Sequence, residues 1–159
     1  SVLERGDLSE ERLTEVVNAL DVGTTAVTDV MVDTDDVVFL STAESAEENI
    51  HRLTSSPHTR YPLVGDSPND FLGIVYVPAV IDHLDEIRAG ELSLDEVAAP
   101  PMTVSADTTV SDAIDQFQAE SQELALVVRD GDVIGLLTAT DAFEAVMGEI
   151  EDPLDRAGD

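Results

Sequence analysis

The chain has no cysteine, no tryptophan and no lysine in 159 residues. Without cysteine there is no disulfide, no thiol nucleophile and no cysteine-ligated metal. The missing lysine belongs to a wider shortage of positive charge. Seven arginines stand against 35 acidic residues, giving a formal net charge of -28. No basic patch is present to neutralise a run of phosphates, which argues against a nucleic-acid binder. Long hydrophobic runs are also scarce. The longest, Phe71 to Ile81, contains Gly73 and Pro78 and is too short to cross a bilayer. No signal peptide is visible, so the expected setting is soluble and cytoplasmic.

The acidity runs along the whole chain instead of gathering in a tail. An acidic, lysine-free surface with ordinary apolar content fits a protein built for molar salt, where self-repulsion is screened within a few ångströms. A halophilic source is the expectation, and a melting temperature that rises with KCl is its test.

What the chain does contain is one pattern written twice. Thr28 to Ile87 and Leu94 to Ile150 each read as strand, amphipathic helix, two strands and closing helix. Ser45-Ala-Glu-Glu-Asn-Ile50 matches Thr109-Val-Ser-Asp-Ala-Ile114, Tyr61-Pro-Leu-Val64 matches Leu124-Ala-Leu-Val127, and Gly73-Ile-Val-Tyr76 matches Gly135-Leu-Leu-Thr138. The fold class is therefore α+β, two pseudo-symmetric β-α-β-β-α units with a cleft between them. The chain divides into a leading helix (1–24), repeat one (25–90), repeat two (91–150) and an acidic tail (151–159). Asp7-Leu-Ser-Glu10 starts the leading helix, with Leu13, Val16, Val17 and Leu20 on one face.

Within repeat one, Val37 to Leu40 is predicted as a strand, and Ser45 with Glu48 as a capping box for a helix burying Ala46, Ile50 and Leu53. Tyr61 to Val64 and Phe71 to Val77 are strands around a turn at Asp66-Ser-Pro-Asn69. Pro78 opens a helix with Ile81, Leu84 and Ile87 inward. In repeat two, Met102 to Val104 is a strand, and Val110, Ala113, Ile114 and Phe117 form a buried helix face. Asp130-Gly131 closes a hairpin. The last helix carries Phe143, Val146, Met147 and Ile150.

The sharpest local motif is Gly135-Leu-Leu-Thr138-Ala-Thr140-Asp141. Hydroxyls and free N–H groups at a helix N-terminus suit phosphate, and a carboxylate one turn in accepts from ribose hydroxyls. Taken alone, the better reading is an ordinary helix cap. Other candidates fail more plainly. His51, His58 and His83 lack metal-ligand spacing. Asp35-Asp36 and Glu47-Glu48 read as solvated surface. Ser55-Ser56 has neither an elbow nor a base. No constellation demands catalysis, and no residue is assigned to a metal.

The motif inside two β-α-β-β-α copies resembles the cystathionine-β-synthase (CBS) domain family, whose tandem pairs bind adenosine nucleotides. The likeness covers about Ala26 to Ile150. Repeat two carries the family's pattern fully; repeat one has Tyr76 for the hydroxyl and Ala79 for the carboxylate, so one grip of two is intact. A narrower likeness lies in Asp29-Val-Met31, Thr59-Arg-Tyr-Pro62 and Gly148-Glu-Ile-Glu-Asp-Pro-Leu-Asp155. These resemble the CBS region of the CorC/HlyC and CNNM membrane proteins linked to magnesium homeostasis, in which a connector helix follows a membrane domain.

The resemblance implies Thr138, Thr140 and Asp141 on phosphate and ribose. Adenine would rest against Val37, Val38 and the strand Thr59, Arg60, Tyr61, Pro62, with apolar contact from Val38 and Tyr61. Arg60 reads equally as a phosphate cation or as a surface ion pair, and Tyr61 and Pro62 equally as plain core. The implied ligand is AMP or ATP, the latter with Mg²⁺; the implied partners are a second copy of the chain and a membrane transport domain. A ligand-free dimerisation module and a direct Mg²⁺ sensor are the alternatives.

Overall fold

The computed structural model describes residues 24–151. The leading helix and the acidic tail past Glu151 fall outside the described residues. Two 3-10 turns, Val27–Asp29 and Thr34–Asp36, flank the short strand β1 (Val32–Asp33). Then come β2 (Leu40–Ser41), α1 (Ala46–Thr54), β3 (Arg60–Val64), β4 (Phe71–Tyr76), α2 (Val77–Asp82) and α3 (Leu84–Arg88). The second repeat supplies α4 (Leu94–Val97), β5 (Thr103–Ser105), α5 (Val110–Glu120), β6 (Leu124–Arg129), β7 (Asp132–Thr138) and α6 (Ala139–Glu151). The fold is α+β, as the two repeats imply.

Local chemistry explains where these elements begin and turn. Ser45 Oγ accepts from the Glu48 N–H at 3.1 Å and Thr109 Oγ1 from the Asp112 N–H at 3.2 Å, capping α1 and α5. The expected box at Ser45 lacks its second arm, because the Glu48 carboxylate turns toward Arg52 at 3.7 Å. A complete capping box forms instead at Ser93 and Glu96, ahead of α4. Asp130 and Gly131 adopt φ of 52° and 84°, the left-handed pair that a two-residue hairpin needs to match strand twist.

Three further expectations change. Of the strand expected over Val37 to Leu40, Leu40 with Ser41 pairs while Val37 to Phe39 stay outside the ladder. Pro78 takes the second position of α2, after Val77. The single closing helix of repeat one breaks at His83, whose φ of -121° and ψ of 23° are not helical. Ile81 then no longer shares a face with Leu84 and Ile87, and it is 64 % exposed while Val80 packs in its stead.

The strands form a four-stranded sheet in the order β1-β7-β6-β5 and a three-stranded sheet in the order β2-β3-β4. The leading segment of each repeat packs into the other. β1 pairs antiparallel with β7, placing Val32 opposite Leu136, and Val27 lies in the core of repeat two with Val110, Leu137 and Val146. In return, Ala99 exchanges both backbone hydrogen bonds with Ile74 at 2.9 and 2.8 Å, and Leu94 joins Leu40, Tyr61, Leu63 and Val75 in the core of repeat one. Each crossing passes over a glycine. A Cβ on Gly73 would lie 2.6 Å from the Ala99 carbonyl oxygen, and one on Gly135 would lie 2.7 Å from that of Val32. Two exchanged segments and two glycines tie the repeats into one body, with β3 and β6 side by side at their junction.

Candidate functional site

A cleft of about 470 Å³ lies between the repeats. Its opening follows from the shortness of β2. That strand pairs with Leu63 and Val64, so Arg60 to Pro62 run past its end, and Val38 has no backbone partner among the described residues. Pro62 suits this place, having no N–H to leave unpaired. From repeat one, Val37, Val38, Thr59, Arg60, Tyr61 and Pro62 line the cleft; from repeat two come Thr138, Thr140 and Asp141. All nine residues singled out from the sequence thus meet at one place.

The floor on the repeat-two side is the start of α6. The Ala139 N–H donates to the Glu123 carbonyl at 2.9 Å, and the Asp141 N–H to Thr138 Oγ1 at 3.1 Å. Thr138 is therefore a helix cap in the plain sense. Among the described residues the Thr140 N–H has no partner and the half-buried Asp141 carboxylate makes no hydrogen bond. A free donor at the positive end of a helix suits an anion, and a free carboxylate beside it suits hydroxyl donors.

Tyr61 divides its loyalties. It is 1 % exposed and its hydroxyl donates to the Ser56 carbonyl at 3.2 Å, so its ring belongs to the core of repeat one. Val38 is half-buried and offers more apolar surface, joined by Val32, Leu124 and Leu136. Those three escaped the sequence reading, although strand alternation pointed to one of them. Leu136 lies two residues before Thr138 and so shares its face, while Leu137 is fully buried behind.

Also missed were the cleft's own acids, Asp36 and Glu123, and His58 at its rim. Arg60 Nη1 lies 3.1 Å from Glu123 Oε2, and its guanidinium stands 4.6 Å from the centre of the Tyr76 ring. The ion-pair reading of Arg60 is the one this arrangement realises. With Asp36, Glu123 and Asp141, three carboxylates share the lining with one guanidinium.

The sequence profile of the CBS domain matches residues 27–86 and 92–148. The chain belongs to the CBS domain family. The magnesium and cobalt efflux protein CorC of Pasteurella multocida (strain Pm70) is 26 % identical over 154 residues, covering 96 % of this chain and 51 % of that protein. The chain thus spans about half the length of that relative. Among solved structures, a CBS-domain pair with bound AMP from Klebsiella pneumoniae is 26 % identical with a TM-score of 0.69, covering 78 % of this chain and 99 % of that one. The CBS domain of the bacterial CNNM/CorC family Mg²⁺ transporter in complex with ATP shares the fold at a TM-score of 0.74 and 20 % identity, over 88 % of this chain and 98 % of that one. This chain is a tandem CBS pair similar to the CBS regions of CorC and CNNM proteins. Among its described residues no helix is long and apolar enough to cross a membrane, and no group of three or more His, Asp or Glu is gathered to hold a metal ion.

Proposed function

We propose that this CBS pair is a regulatory module that takes one adenosine nucleotide, AMP or ATP, between its repeats. The observation that carries the reading is the convergence of nine residues from both repeats on one cleft of about 470 Å³, a volume within the range of small-ligand sites. Base and ribose fit the apolar wall of Val38 and Leu136 and the carboxylate of Asp141, and phosphate fits the Thr140 N–H at the start of α6. The family relatives that hold AMP and ATP support the choice of ligand. Asp36 in the lining is a hard oxygen donor of the kind that a Mg²⁺ carried in with ATP prefers. The module binds and does not catalyse.

Because the ligand touches both repeats, binding favours one arrangement of them over others. A shift of that kind would act on a CorC/CNNM-like magnesium transport domain of the same protein, at the cytoplasmic face of the membrane, with two copies of the chain pairing through their helices. The high-salt setting completes this reading, since salt lowers the repulsion between an acidic cleft and an anion. Isothermal titration of AMP and of MgATP in molar KCl tests it. Saturable binding at one nucleotide per chain is expected; no binding by the folded chain would leave a ligand-free interaction module, the reading that the Thr138 cap favours.

A further inference from the structure

Thr59-Arg60-Tyr61 and Gln122-Glu123-Leu124 hold equivalent places in the two repeats, at the starts of β3 and β6. Since β3 and β6 lie against each other, the pseudo-symmetry brings position 60 to position 123. Identical charges there would repel. The repeats have instead diverged to opposite signs, and the 3.1 Å contact between Arg60 and Glu123 closes across the junction. Both residues line the cleft, and Arg60 is the one arginine among the described residues that does so.

We propose that this pair is a latch that the phosphate of a bound nucleotide must open, so that Glu123 sets how much negative charge the cleft accepts. The proposal rests on the nucleotide reading above. A phosphate and a carboxylate compete for the same planar fork of guanidinium donors. The side chains are 35 % and 62 % exposed, so the pair is solvent-screened and opens at small cost. Tyr76, against the other flank of the guanidinium, keeps Arg60 at the cleft when Glu123 lets go. The released Glu123 then faces the phosphates with like charge, a penalty that grows with each phosphate added. Opening the latch also removes a tie between the repeats, which couples ligand charge to their relative arrangement.

The experiment is calorimetric titration of adenosine, AMP and ADP, without Mg²⁺ and at one KCl concentration, into wild type, Glu123→Gln, Arg60→Gln and the double variant. The expected result is that Glu123→Gln binds ADP about three- to tenfold tighter than wild type. AMP gains less, and adenosine changes by less than about twofold because it carries no phosphate to compete. In the Arg60→Gln background the gain shrinks, because only the direct repulsion between Glu123 and phosphate is left to remove. Equal affinities of wild type and Glu123→Gln for all three ligands would overturn the latch, as would a gain undiminished by the loss of Arg60. Failure of the folded wild type to bind any of the three removes the nucleotide reading, and the latch with it.

Discussion

The two strand-to-helix junctions, Gly73 to Ala79 and Gly135 to Asp141, start alike and end differently. Both open on a glycine that a crossing backbone presses upon, from Ala99 in one case and Val32 in the other. Three residues later they part. Thr138 caps α6 through the Asp141 N–H, whereas Tyr76 caps α2 with no side-chain hydrogen bond. Six residues after the glycine, Asp141 presents a carboxylate to the cleft where repeat one has Ala79. What the repeats share is what the exchange of segments requires, and what they do not share faces the cleft. Packing and binding are therefore separable by substitution.

The largest effect is expected at the shared glycines. Gly73→Ala and Gly135→Ala force a methyl to within 2.6 and 2.7 Å of backbone oxygens that cannot swing aside. Each is expected to lower the unfolding free energy by about 2–3 kcal/mol in denaturant titrations. A neutral outcome at either would break the claim that they serve the crossings.

Thr138→Ala comes next. Loss of its cap is expected to destabilise by about 1 kcal/mol, while Tyr76→Thr, which offers repeat one the missing cap, should hold or slightly raise stability. A Thr138→Ala variant as stable as wild type would show that the Thr138 cap contributes nothing to folding.

The smallest effect contrasts the equivalent helices α1 and α5. In α1, Arg52 lies between Glu44 at 3.4 Å and Glu48 at 3.7 Å. In α5, Asp112 and Asp115 sit three apart with like charge. Burial first, and Asp112 second, raise the Asp115 carboxyl above its ordinary 3.8. The native state therefore holds this proton more tightly than the unfolded chain. Stability is lost as pH rises from about 3.8 through the raised value and stays lower above it. Asp115→Asn should recover about a few tenths of a kcal/mol at neutral pH, a figure held down by the exposure of the site, and nothing at pH values below that window. A melting curve that gains equally at both pH values would put the cause elsewhere.

The sequence was most legible where structure is local. The cap at Ser45, the Asp130-Gly131 turn and the buried faces of α1 and α5 each depend on residues within a few positions of one another. It was least legible where distant segments meet. Nothing in Val32-Asp33 says that it pairs with β7, a hundred residues on, and the glycines that permit this looked like part of a ligand motif. The nine site residues came from the family likeness laid over the repeat, and their meeting in one cleft is a product of the crossings. Glu123 and Asp36 went unseen because 35 acidic residues make any single one look like solvated surface. Ile81 was misplaced by assuming that helical spacing continues through His83.

The proposed nucleotide site stands or falls on Asp141, the unmatched carboxylate of repeat two that completes the cleft the crossings assemble. Titration of AMP in molar KCl into wild type and Asp141→Ala, with melting curves for both, tests it most directly. The account expects equal melting temperatures and an affinity at least about tenfold weaker in the variant, near 1.4 kcal/mol. Unchanged affinity in Asp141→Ala would contradict it.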